Sequence, residues 1–158
     1  MEYKYLLEII RSGLHKEFWE DAKTTLMSFL DPEVYGRSTL EGASFIVSSA
    51  YHDKRYHGQA FQPRLSGITC EFLHIWILAV AGATPFRVAK DGGLEFAPRP
   101  ALPKWLFTAK KERVQYRDAA RGEITVDVPK DAFAFRLMGR ALVVYHNAKR
   151  RDTCGAGG

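Results

Sequence analysis

The chain reads as an α+β protein in which helices come first and antiparallel strands second, and three features predict this. Apolar residues recur at three- and four-residue spacing only up to Gly82. Beyond it, Pro85, Pro98, Pro100 and Pro103 exclude long helices, because proline lacks a backbone donor and clashes with the preceding turn. Ile124, Val126 and Val128 then alternate with Thr125 and Asp127, and Phe133, Phe135 and Leu137 with Ala134 and Arg136, which is the period of a strand.

The first helix is expected over residues 3 to 11, with Leu6, Leu7, Ile9 and Ile10 on its apolar side. Ser12-Gly13 ends it, since glycine accepts the left-handed conformation of a helix C-terminus. A second helix is expected over residues 16 to 30, where Phe18, Ala22, Leu26, Phe29 and Leu30 repeat at helical spacing and Asp31-Pro32 stops the chain. Residues 31 to 65 show little periodicity, broken by Gly36, Gly42, Gly58 and Pro63, and read as a long structured loop of a binding surface anchored in the core by Phe45-Ile46-Val47. Ser66 to Ala81 reads as one helix, apolar nearly all round and therefore buried on most sides, with Ser66 as its N-cap. Asp91-Gly92-Gly93 is a hairpin-turn signal, and Gly139-Arg140 turns the chain into a last strand, Ala141 to His146.

Composition bounds the function. A length of 158 residues suits one medium domain or one domain plus a stub, and 46% hydrophobic with 26% charged residues are globular values. The net charge of +5, concentrated in Lys149, Arg150 and Arg151, favours an anionic partner such as phosphate, nucleic acid or an acidic surface. Nucleic acid is set aside because no basic stripe interleaves with aromatic residues. Cys70 lies in an apolar run, expected to be buried, and Cys154 in a Gly-rich tail, so no disulfide framework is readable. Met1-Glu2-Tyr3-Lys4 is not a signal peptide, and Phe72 to Ala81 is too short to span a bilayer. A soluble protein of the reducing cytoplasm, with no membrane partner, is the expectation.

Ser66-Gly67 is the sharpest chemical feature. Free N–H groups and the positive end of a helix dipole attract an anion, Gly67 permits close approach, and Arg64 can grip two oxygens at once. The alternative is that Ser66 only caps the helix and Arg64 is solvated. His52 and His57 share a polar loop with Asp53, yet no zinc-type spacing is completed and no metal is expected. His74 reads as a hydrogen-bonded core histidine, and Glu71 as a partner of backbone or an arginine. Spacing pairs none of Glu41, Asp53 and Glu71 as a glycosidase acid and base. Tyr35, Tyr51 and Tyr56 are better candidates than Trp19, Trp76 or Trp105 for stacking on a sugar ring.

Several stretches together carry a family resemblance. They are Val34-Tyr35-Gly36-Arg37-Ser38, Leu40-Glu41-Gly42-Ala43-Ser44-Phe45-Ile46-Val47-Ser48-Ser49-Ala50, His57-Gly58 and the run from Phe61 to Leu73. The tail adds Val144-Tyr145-His146-Asn147 and Arg150-Arg151-Asp152-Thr153. In this order, over residues 16 to 154, the chain resembles the end of the cellobiose-phosphorylase-like glycoside phosphorylases, the glycoside hydrolase family ninety-four type. The resemblance implies the last helices of an (α/α)6 barrel over residues 1–83, truncated, and a small antiparallel β-sandwich over residues 84–158. It also implies inverting cleavage of a β-glucosidic bond, with inorganic phosphate as co-substrate, no other cofactor, and a β-glucan oligosaccharide or disaccharide as partner. Ser66, Gly67 and Arg64 are matched to the phosphate, and His57, Gln59 and Glu41 to the sugar.

The departures qualify the activity. The family's aspartate general acid has no counterpart here, so no residue is assigned as catalytic. Cys154 stands where an aromatic residue is usual, Gly42 in place of Asn, and Gln62-Pro63 in place of a smaller apolar pair. The resemblance therefore implies a portion of a glycosyltransferase-like phosphorylase, from a truncated or split gene, inactive alone. It would need the remainder of the barrel or a second copy. Leu6, Ile10, Leu14, Phe18 and part of the helix from Phe72 to Val80 are the side chains expected to be left exposed. The competing reading is a non-catalytic carbohydrate-binding or scaffolding module that uses the β half.

Overall fold

A computed structural model describes residues 2–38, 41–63, 67–118 and 120–154. It divides into two compact units, Met1–Pro100 and Ala101–Gly158. The class is mixed α+β with helices ahead of most strands, and every sheet among the described residues is an antiparallel pair. No helix among them is long and apolar enough to cross a membrane.

In the first unit, helices α1 (Glu2–Arg11) and α2 (His15–Thr25) form the expected hairpin and bury Leu6, Ile10, Phe18 and Ala22. The expectation that Leu6, Ile10 and Phe18 stand exposed is therefore corrected. Helix α1 is covered both by α2 and by the long helix described below, and of that set in the hairpin only Leu14 remains 50% exposed. Helix α2 stops at Thr25, short of the predicted residue 30, because Leu26 turns extended and the Met27 N–H donates to the Tyr3 hydroxyl at 3.1 Å. A single 3-10 turn over Met27–Phe29 follows. Asp31 caps the short α3 (Pro32–Tyr35), its carboxylate accepting the Glu33 N–H at 2.9 Å.

The segment read as a loop contains a β-hairpin, β1 (Ala43–Ile46) and β2 (Ala60–Pro63), with Phe45 opposite Phe61. Pro63 breaks no ladder because it is the last residue of an edge strand. Phe45 is 62% exposed rather than a core anchor. Helix α4 (Gly67–Val80) matches the predicted span, but the expectation of burial nearly all round is wrong. Only Ile75, Ala79 and Val80 are buried, Leu73 is 56% exposed, and Cys70 and His74 face solvent. Its principal helical partner is α1, which covers one side only.

Strands β3 (Phe86–Val88) and β4 (Leu94–Phe96) pair around the predicted Gly92 turn, where φ is 83°. The expected domain boundary at residues 83/84 lies ahead of this hairpin, whereas the two units divide after Pro100. The reason is local. The Arg99 N–H donates to the Ala81 carbonyl at 2.9 Å, and a Cβ added at Gly82 would lie 2.8 Å from the Arg99 carbonyl oxygen, so the hairpin's exit lies flush on the end of α4.

The second unit holds two hairpins. Strand β5 (Glu112–Asp118) pairs with β6 (Gly122–Val128), and β7 (Ala132–Leu137) with β8 (Ala141–His146). Leu102, Phe107, Val128, Ala132 and Phe135 form its core. Thr108 secures the turn between the hairpins: its hydroxyl donates to the Pro129 carbonyl at 2.6 Å and accepts the Ala132 N–H at 3.0 Å. The tail then clamps the entry segment. Thr153 Oγ1 accepts the Leu102 N–H at 2.8 Å, the Thr153 N–H donates to the Leu102 carbonyl at 2.9 Å, and Asp152 accepts the Lys104 N–H at 2.7 Å.

Two predictions follow from the packing and the charges. Leu6→Ala empties a site closed to solvent and is expected to destabilise the first unit by about 2–5 kcal/mol, whereas Leu14→Ala shifts it by no more than about 0.5 kcal/mol; urea unfolding followed by circular dichroism checks this. In the second unit, the backbone N–H of Ala120 above all, then that of Arg121 and the Arg136 guanidinium, hold the Asp118 carboxyl below the usual carboxylate range. Lys111 and Arg113 do the same for Asp127. The unfolded chain takes up those protons first as the pH falls. The hairpin's stability should thus be fully present above about pH 5 and lost below about pH 4, and Asp118→Asn should flatten the decline in urea midpoint between pH 6 and 3.

Candidate functional site

Helix α4 begins at Gly67, and its first turn forms part of the wall of a cavity of about 750 Å3. The rest of the wall comes from α1 through Glu2, Tyr3 and Lys4, from Thr25 and Met27, and from Tyr35. The base of the β1–β2 hairpin closes it with Gly42–Ile46 and Gln62. Apolar rings and methyl groups alternate around this wall with an amide, two hydroxyls, two carboxylates and an ammonium. Gln62 holds φ at 54°, an uncommon conformation for a residue with a side chain, and it sits at the rim beside the helix start. Arg64 and Ser66 lie outside the described residues, so only Gly67 of the three phosphate candidates is placed.

The three residues matched to the sugar hold the hairpin's shape. A ring nitrogen of His57 lies 2.7 Å from the Tyr51 carbonyl. The Gln59 side-chain amide donates to the Arg55 carbonyl at 2.9 Å. Glu41 pairs with Arg37 at 3.6 Å, and its own carbonyl accepts the Tyr35 hydroxyl at 2.8 Å. Tyr35 is a core residue rather than a stacking surface, and burial pushes its phenol above its ordinary pKa.

Sequence reasoning missed Glu71 as a cavity residue. It was expected to bond backbone or an arginine, yet it lines the cavity and makes no such bond among the described residues. The signal was present: Gly67 and Glu71 are four apart and so share one face of α4. Glu2, Lys4, Ser44 and Gln62 carried no local signal, because segments remote in sequence bring them together. No group of three or more metal-ligating side chains occurs among the described residues.

The second unit has a smaller recess of about 320 Å3 between its hairpins, walled by Val114, Tyr116, Val126, Phe135 and Leu142. The Arg136 guanidinium covers the Tyr116 ring at 4.8 Å from its centroid. That ring face is closed to a sugar, which weakens the case for a binding module built on the β half alone.

Gly58 sets the return of the β1–β2 loop with φ at 79°, and a Cβ there would meet Val34 Cγ1 at 2.8 Å. Gly58→Ala is expected to destabilise the first unit by about 1–3 kcal/mol in urea unfolding, and Val34→Ala should relieve the contact but not the backbone strain. Comparison of the chain with protein-family models, with curated proteins and with solved structures finds no match.

Proposed function

We propose that the first unit supplies part of the phosphate and sugar site of an inverting glycoside phosphorylase that acts on β-linked glucosides in the cytoplasm. On this reading its helices are the last of an (α/α)6 barrel and the second unit is the β-sandwich that follows. The observation that carries the reading is that Gly67 opens a 14-residue helix in the wall of a 750 Å3 cavity. That volume lies within the range of small-molecule sites. The first N–H groups of a helix have no intrahelical acceptor, and the dipole adds positive potential where they point. A phosphate seated there would find Lys4 on the cavity wall, and the order of the chain brings Arg64 close to the same helix start. Glu71, Glu2, Ser44 and Gln62 supply the acceptors and donors that sugar hydroxyls require.

The chemistry asks little of this chain. Phosphate is itself the nucleophile, so the site must aim one of its oxygens at the anomeric carbon while a carboxylic acid protonates the departing glycosidic oxygen. Residues of this chain bind and orient. The acid belongs to the missing helices, and its loss removes a factor of about 100 or more in rate.

Thermal unfolding in phosphate tests the reading. Phosphate at a hundredfold excess over its Kd is expected to stabilise the chain by about 2.7 kcal/mol relative to chloride at equal ionic strength. Arg64→Ala and Gly67→Val should each remove most of that gain, and the pure chain should release no glucose 1-phosphate from cellobiose. Equal melting in phosphate and chloride would overturn the anion site, and release of glucose 1-phosphate would overturn the division of labour.

A further inference from the structure

The loop joining β1 to β2 carries a feature that the cavity does not use. Tyr51 and Tyr56 are 46% and 39% exposed. Their ring centroids stand 6.3 Å apart with planes at 73°, so the two phenols make an open corner. His52 leans on Tyr51 at 4.4 Å. Exposed rings on a surface loop ordinarily wander, but here the backbone beneath them is tied. The His57 ring meets the Tyr51 carbonyl, the Val47 N–H donates to Gln59 and the Gly58 N–H to Val47, and the Gln59 amide reaches the Arg55 carbonyl. Asp53 accepts the Arg55 N–H at 3.1 Å. The ordering that binding would otherwise demand is already met in the folded loop.

The charges narrow the ligand. Asp53 and Arg55 close on each other at 2.7 Å, which leaves Lys54 as the one Lys or Arg of residues 51–57 without an acidic partner among the described residues. A patch so nearly neutral gives little of the phosphate neutralisation on which nucleic-acid binding depends. Two flat rings with hydroxyl edges suit instead a molecule with apolar faces and a polar rim. A pyranose has that form, with C–H groups on its faces and hydroxyls around its edge.

We infer that the Tyr51–Tyr56 corner is a stacking platform for a neutral pyranose ring, a subsite separate from the cavity at the start of α4. The identification of the sugar as part of a β-glucoside chain rests on the function proposed above. The hairpin connects the two places: its base, Gly42–Ile46, walls the cavity, and its tip carries the corner.

Saturation-transfer NMR on the full chain with cellotetraose and laminaritetraose tests this. Transfer to ring C–H protons is expected in the parent chain. Tyr51→Ala and Tyr56→Ala should each weaken binding about fivefold, while Tyr51→Phe keeps it. Both positions are solvent-exposed, so the alanine variants should retain the parent melting temperature, and that measurement separates lost stacking from lost folding. Binding unchanged in both alanine variants would overturn the platform. So would capture of poly-uridylate, lost steeply with salt, in place of either sugar. Absence of sugar binding alongside intact stabilisation by phosphate would remove the platform and leave the anion site standing. Sugar binding without phosphate stabilisation would do the reverse.

Discussion

The buried phenol of Tyr3 holds three pieces of the first unit together. Its oxygen accepts the Met27 N–H at 3.1 Å where α2 has ended, and its ring stands 6.5 Å from Phe72 of α4. A buried N–H without an acceptor costs about 1–3 kcal/mol, so the chain can leave the helix at Leu26 without that penalty only because the hydroxyl is already in place. Burial raises the phenol's pKa and keeps it neutral. Because α1, Met27 and α4 are also walls of the cavity, the shape of the candidate site is inherited from this contact.

The helical part of the fold was legible because it rests on local periodicity. Leu6, Ile9 and Ile10, and then Phe18 and Ala22, announce α1 and α2 without reference to the rest of the chain. What periodicity does not report is how a polar group elsewhere competes for a backbone donor, and so α2 ends earlier than its apolar residues suggest. The β1–β2 hairpin was hidden for the opposite reason. Its two strands are short, largely exposed and divided by a long tip, so neither alternation nor a tight-turn signal marks them. Strand β5 was missed because Glu112, Arg113, Arg117 and Asp118 outnumber its apolar residues; pairing with β6 makes it a strand. In the site, Gly67 could be read from the sequence as a helix start. Glu71 needed knowledge of which face of α4 meets the cavity. His57, Gln59 and Glu41 have polar side chains in a binding-type loop, but those side chains are largely used to hold the loop itself.

The basic balance of the chain also changes meaning in three dimensions. Arg150, the middle of the Lys149–Arg151 run, turns inward with φ at 45° and donates to Asp131 at 2.6 Å and to the Thr108 carbonyl at 3.0 Å. Part of what resembles an electrostatic lure for an anion is a fastener inside the second unit. A formal charge counted along a sequence overstates the field offered to a partner when some of its members are paired.

The clamp between Thr153 and Leu102 has a consequence for the order in which the second unit assembles. It joins residues 51 apart in sequence, and bringing the ends of so long a flexible segment together costs about 3.5 kcal/mol of chain entropy. The hairpins close far shorter loops and have no such barrier. The seam should therefore form last on folding and part first on unfolding, leaving both hairpins paired while entry and exit segments fray. An amide such as that of Leu102 would then exchange its hydrogen through a small opening of the seam rather than through global unfolding, although it sits in the core of its unit.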